Sequence, residues 1–194
     1  MDGFVMVPGP DMVDLDNVRA IADEALEKAK EALDASGVMT ISVVPSQSGT
    51  LSYTGEEQSP AWNNFNQDTL TISGTTAGTD AGSYEAVFTP KEGYKWGDGT
   101  TDPKTVTWTI SRAIIATTPS QSGSLTYNGS AQSPTWSGYD TGKMTLGGTT
   151  SGTNAGSYNA TFTPGANYQW SDSSTGAKTV AWTIGRAEIS AVPS

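Results

Sequence analysis

The chain holds no histidine and no cysteine, so any chemistry falls to carboxylates, lysines, hydroxyls and aromatic faces. Without imidazole or thiol, neither a Ser-His-Asp nor a Cys-His nucleophilic arrangement can be assembled. The commonest metal ligand and any thiolate site are missing for the same reason. Four chemistries stay open: a carboxylate pair for glycoside hydrolysis, an oxygen-rich cation site, a lysine–acid pair, and aromatic rings on which a sugar can stack.

Internal duplication filters these. Shifted by 74 residues, the chain matches itself without a gap, and 38 of the 72 positions from Ile41 to Arg112 are identical to those from Ile115 to Arg186. A site built into the repeated unit should therefore appear twice. Of the first repeat's eight acids, only Asp98 returns as an acid, at Asp172, while Asp80 becomes Asn154. The common plan has no glycosidase pair, and the chain reads as non-enzymatic and without a cofactor. Asp11, Asp14 and Asp16 lie close together but match no known cation loop, and acids before a helix usually cap it. Asp98 with Asp102 offers oxygen ligands, but Asp102 becomes Gly176, so a structural turn is preferred to a metal site. Lys104 and Lys178, with Asp98 and Asp172, are similar to the lysine–acid pairs near intramolecular isopeptide bonds. No Asn is shared by the repeats, which counts against that chemistry. Gly-Thr-Thr-x-Gly-Thr (74–79, 148–153) lacks the lysine and following helix of a phosphate loop and reads as a hairpin or loop. Glycan contact has candidates in both copies: Tyr94 and Trp96, Tyr168 and Trp170. Trp96 adjoins the turn Gly97-Asp98-Gly99, which suggests a rim. Both Trp rings must be exposed for sugars to stack on them.

The elements positioning these residues are short. In the first copy, strands are expected at Ile41–Val44, Thr50–Tyr53, Ser59–Trp62, Thr69–Ser73, Ser83–Thr89, Gly93–Trp96 and Thr105–Ser111, rich in β-branched and aromatic residues between Gly, Pro, Asn and Asp. Val106, Trp108 and Ile110 alternate with threonines, as Tyr84, Ala86 and Phe88 alternate in their strand, which gives one buried and one wet face. Seven strands in about 75 residues predict a small two-sheet sandwich with Trp62, Trp108, Trp136 and Trp182 in its core, and Trp96 and Trp170 either packed there too or near the rim.

Asp80-Ala-Gly-Ser-Tyr84-Glu-Ala86 and Asn154-Ala-Gly-Ser-Tyr158-Asn-Ala160 resemble the Asp-x-Gly-x-Tyr-x-Cys corner of immunoglobulin domains. Ala86 and Ala160 stand where that corner has Cys, so the inter-sheet disulfide is absent. Tyr-x-Gly (53–55, 127–129), Gln-Ser-Pro-x-Trp (58–62, 132–136), Gly-x-Tyr-x-Ala-x-Phe-Thr-Pro (82–90, 156–164) and Thr-Val-x-Trp-Thr-Ile (105–110, 179–184) extend the likeness. The whole looks like the Ig-like repeats of bacterial surface proteins and phage virion proteins. That resemblance implies a mainly β fold, with Ig-like domains at 41–113 and 114–187 behind a short helical N-terminal segment. Ile189 and Pro193-Ser194 keep the repeat offset, so 188–194 is expected to begin a third copy in a longer natural chain.

Residues 1–40 differ in kind. Gly3–Pro10 is apolar and broken by prolines, which predicts an extended, docked segment containing Phe4, Val5, Met6 and Val7. A helix is expected over 15–36, with Leu15, Val18, Ala22, Ala25 and Ala29 at 3-4 spacing and Ile21, Leu26 and Leu33 flanking them. So narrow a stripe is marginal alone and is expected to pack on something, as a self-associating trimer seam, on a capsid or tail protein, or on the first β-domain. The segment resembles the anchor of a phage head or tail appendage. That implies a non-enzymatic head fibre or decoration protein on the virion surface, attaching weakly to host-surface glycans. The alternative is a bacterial cell-surface adhesin or stalk, extracellular in place. Formal net charge of −10 without a basic patch argues against nucleic acid. No apolar run is long enough to insert in a membrane as a helix.

Overall fold

The computed structural model describes residues 17–24 and 37–189. The extended segment expected at Gly3–Pro10, the rest of the helix expected over 15–36, and the final residues 190–194 lie outside the described residues. Residues 17–24 form one helix, α1, and every residue in it is exposed.

Each repeat contributes eight short strands. In the first these are β1 (Met39–Ile41), β2 (Ser46–Ser48), β3 (Leu51–Ser52), β4 (Ala61–Asn63), β5 (Leu70–Gly74), β6 (Gly82–Pro90), β7 (Tyr94–Trp96) and β8 (Lys104–Ser111). The second repeats the order as β9 (Ala113–Ile115), β10 (Ser120–Ser122), β11 (Leu125–Thr126), β12 (Thr135–Ser137), β13 (Met144–Gly148), β14 (Gly156–Pro164), β15 (Tyr168–Trp170) and β16 (Lys178–Gly185). Each repeat holds a four-stranded sheet, β3-β8-β6-β5 or β11-β16-β14-β13, and two two-stranded ladders, β1-β7 with β2-β4 and β9-β15 with β10-β12. The chain is mainly β, and the two sheet groups make two β-sandwich-like domains.

Contacts gather into two compact units. The first draws on the described residues up to Pro45, on Asn64–Ser73 and on Val87–Thr105. The second draws on Ser46–Asn63, Gly74–Ala86 and the chain from Val106 onward. In the first unit Phe65 packs against Phe88 at 5.5 Å, and Leu70 and Trp96 are buried. In the second, Ile115, Met144, Ala160, Phe162, Trp170, Trp182 and Ile184 form one buried cluster, with Trp136 and Tyr139 half-buried against it.

Period-2 patterning explains the long strands. On β8, Trp108 and Ile110 are buried while Thr107 and Thr109 are exposed. On β6, Ala86 and Phe88 are buried. The expected first strand starts earlier: Met39–Ile41 pair in parallel with Tyr94–Trp96, and Val43 is exposed. By the same pairing Ala113 belongs with Tyr168 in β15. Strand β2 was not expected, because Ser-Gln-Ser has no apolar residue. It forms because it pairs with β4 and because the Gln47 carboxamide acts as a strand neighbour, donating to the Thr109 carbonyl at 3.0 Å and accepting from the Thr109 amide at 2.9 Å. Gln121 repeats this on Thr183.

The tyrosine corner is present twice. The Tyr84 hydroxyl donates to the Asp80 carbonyl at 2.6 Å and that of Tyr158 to the Asn154 carbonyl at 2.7 Å. Each ring stacks at 4.5 Å on the Trp of the neighbouring strand, Trp108 or Trp182. Packing and backbone hydrogen bonds thus hold the corner, with Ala86 or Ala160 buried at the cysteine position.

Candidate functional site

The acid kept in both copies sits in a small polar turn. Asp98 Oδ2 pairs with Lys104 Nζ at 2.6 Å, and Oδ1 accepts from the Thr100 hydroxyl at 2.7 Å and the Thr100 amide at 3.0 Å. The Lys104 ammonium lies 5.1 Å from the centre of the Trp96 ring, within cation–π range. Trp96 Nε1 donates to the Asp102 carbonyl at 2.8 Å. The second copy repeats each contact: Asp172 with Lys178 at 2.8 Å, Ser174 on Asp172, Lys178 over Trp170 at 5.0 Å and Trp170 on the Gly176 carbonyl.

This turn locks structure. The Lys104 and Asp98 side chains are 30% and 50% exposed. An isopeptide bond needs a desolvated, neutral amine, and water here favours the charged pair. Both Asp98 oxygens are already engaged, and among the described residues no three acids gather into a metal-binding group.

The glycan reading of Trp96 and Trp170 is overturned. Each ring is 1% exposed, covered on one face by the lysine and fastened by its indole N–H, so neither presents a face to a sugar. Tyr94 and Tyr168 are half-buried, and Tyr168 stands edge-on to Tyr53 at 5.5 Å. The core alternative holds and the rim alternative does not, because the segment after the turn folds back over the indole and its Asp102 carbonyl accepts the indole hydrogen bond.

Asp98 is held well below the usual carboxylate range, first by its bond to Lys104, then by Thr100. Asp172 is lowered in the same way by Lys178 and then Ser174. A carboxylate with a depressed folded pKa adds stability above its unfolded value of about 3.9, and that stability fades as pH falls through the folded value. We expect Asp98→Asn to leave the melting midpoint near pH 7 little changed, since exposed pairs contribute little, and to flatten its decline below about pH 4. Parallel midpoint–pH curves for variant and parent would contradict this.

A second cluster is absent from the duplicated plan. All its residues belong to the second compact unit. The Asn167 side chain donates to Asp80 Oδ1 at 2.8 Å and accepts from the Ala81 amide at 2.9 Å. Arg112 Nε donates to the Ala166 carbonyl at 2.9 Å. Arg112 is also the single residue between β8 and β9. Beside these bonds lies a cleft of about 380 Å³, walled by Gly82, Ser83, Ile110, Ser111 and Arg112 from one repeat and Gln169 from the next. Among the described residues the repeats are thus joined by one linker residue, the side-chain bonds of Asn167 and Arg112, and a tyrosine pair. Sequence reasoning missed this joint. Its signal lay in positions where the copies differ, Asp80 against Asn154 and Gly93 against Asn167.

The helix residues Val18 and Ile21 are 49% and 61% exposed, so the described part of the apolar stripe is not buried on the first β-domain. Ala22 is exposed beside them, while Phe4, Val5, Met6, Val7, Leu15, Ala25, Leu26, Ala29 and Leu33 lie outside the described residues. Among the described residues no helix is long and apolar enough to cross a membrane.

Residues 29–111 match the model of the He_PIG family, whose description is “Putative Ig domain”. No curated protein and no solved structure matches the chain. The first repeat is thus similar to an Ig-like module, and the second shares its strand order and corner. Such modules are generally non-catalytic and point to a surface or adhesion-type protein.

Proposed function

We propose that this chain is a non-enzymatic display protein of a virion, a head fibre or tail appendage, held through its N-terminal segment and presenting Ig-like domains on a stiff joint. The observation that carries the display role is the joint: a one-residue linker whose flanking groups are fastened by Asp80, Asn167, Arg112 and the Tyr53–Tyr168 pair. A flexible tether needs several unbonded linker residues, and this connection has none. The exposed Val18 and Ile21 of α1 support an anchor that docks elsewhere, on copies of itself as a trimer or on a capsid or tail protein. A bacterial cell-surface stalk would use the same joint, and the partner of the N-terminal segment separates the two readings.

Amide relaxation of the full chain tests the joint. Both repeats should report one rotational correlation time, and Asn167→Ala combined with Arg112→Ala should split it into two. Two times in the unaltered chain would sink the stiff-joint reading. Light scattering tests the anchor: a strict monomer at every concentration would rule out self-association and leave docking to a carrier.

A further inference from the structure

We infer that the far end of the second repeat is a docking face for a further Ig-like repeat, entered directly through residues 187–189. The inference rests on the joint just described, because each element of the first repeat's half of that joint has a counterpart one repeat on. Tyr53 corresponds to Tyr127, Asp80 and Ala81 to Asn154 and Ala155, and Arg112 to Arg186. In the first repeat these groups are engaged. In the second, Tyr127 is 42% exposed where Tyr53 is half-buried, and Ala155 is exposed where Ala81 is half-buried. Ala187-Glu188-Ile189 corresponds to Ala113-Ile114-Ile115, the strand that leads into the second repeat. Ile115 is 6% exposed and Ile189 is 90% exposed.

The backbone of this face is already set as in the joint. The Tyr127 amide donates to the Gly185 carbonyl at 2.9 Å, as that of Tyr53 donates to Ser111 at 2.9 Å. The Tyr158 hydroxyl fixes the Asn154 carbonyl as Tyr84 fixes that of Asp80. The face therefore needs no rearrangement to receive a partner, which lowers the cost of docking. Its chemistry specifies that partner. Asn154 offers a carboxamide oxygen where Asp80 offers a carboxylate, Arg186 needs a carbonyl acceptor, and Tyr127 needs a second tyrosine edge. A repeat resembling the second meets all three through its counterparts of Asn167, Ala166 and Tyr168. The first repeat of another copy of this chain does not, because Glu92-Gly93 stands where Ala166-Asn167 supplies the bridging carboxamide. The occupant is a further repeat in series, not a second copy.

The test extends the full chain after Ile189 with a copy of residues 116–186 and follows amide hydrogen exchange. Extension should slow exchange at Ala155 by about tenfold or more, as its amide gains the carboxamide acceptor that the Ala81 amide has in the joint, and should slow it further at Tyr127 as the ring above is covered. Tyr127→Ala should lower the melting midpoint of the extended chain and leave that of the present chain unchanged. Unaltered exchange at Tyr127 and Ala155 beside a folded added repeat would overturn the inference, as would a concentration-dependent dimer of the present chain that protects this face. Tyr53→Ala in the present chain keeps the two readings apart. If it lowers the midpoint while Tyr127→Ala is silent in the extended chain, only the far docking face is lost. If Tyr53→Ala is itself silent, the joint reading falls first and this inference with it.

Discussion

Trp182→Ala is expected to unfold the second repeat at temperatures where the parent chain is intact. The indole is 1% exposed, stacks at 4.5 Å on Tyr158, and donates from Nε1 to the Thr149 carbonyl at 2.7 Å. It lies in the buried cluster with Phe162, Trp170 and Ile184, so alanine removes one of the two largest side chains of that core. Truncating a buried Trp costs about 3–5 kcal/mol. At roughly 0.05–0.15 kcal/mol per residue, a domain of this length holds only about 4–11 kcal/mol in total. With about 4–8 °C per kcal/mol in a domain of 60–100 residues, the midpoint should drop by roughly 12 °C or more. Near-ultraviolet circular dichroism should lose the remaining aromatic signal of the second repeat in the same transition. Trp182→Phe should fall between the two, since it refills much of the volume and leaves the Thr149 carbonyl without its donor. A Trp182→Ala chain melting within a few degrees of the parent would show that this cluster does not hold the repeat together.

That core was legible in advance because alternation reports which face of a strand is buried, and Val180, Trp182 and Ile184 alternate as plainly as Val106, Trp108 and Ile110. The tyrosine corner was legible too, since it is set by residues four apart in sequence. Three features were not. Strand β2 is polar throughout, and its place is decided by the Gln47 carboxamide bonding to Thr109, 62 residues away. Trp96 adjoins a turn, which suggested a rim, but Lys104 and the Asp102 carbonyl, both further along the chain, cover and fasten the ring. The joint was hidden by the filter that simplified everything else. Keeping only what both copies share discards contacts between unlike ends of the repeat, and Asp80 with Asn167, 87 residues apart, is such a contact. In a tandem array the differences between copies therefore carry information about junctions, while the identities carry information about cores.

The shared glycines refine that rule, because one of them is fixed by packing and not by backbone conformation. A β-carbon on Gly78 would fall 2.5 Å from Tyr84 Cζ and 2.9 Å from its hydroxyl oxygen. Neither side can yield. Gly78 is clamped to Gln58 by reciprocal backbone bonds of 2.9 and 2.8 Å, and the Tyr84 ring is held between its stack on Trp108 and its bond to the Asp80 carbonyl. Gly78→Ala is therefore expected to destabilise the first repeat by about 2–3 kcal/mol, the upper part of the usual range for overpacking, and Gly152→Ala to do the same against Tyr158 in the second. A double-mutant cycle identifies the cause. On a Tyr84→Ala background the added methyl has room, so Gly78→Ala should then cost much less, a coupling well beyond the few tenths of a kcal/mol typical of independent sites. Strict additivity, measured by chemical denaturation of all four chains, would mean that Gly78 is required by its backbone and not by the ring above it. The glycine-rich stretch that sequence offered as a loop would then need a different explanation from the aromatic lid that covers it here.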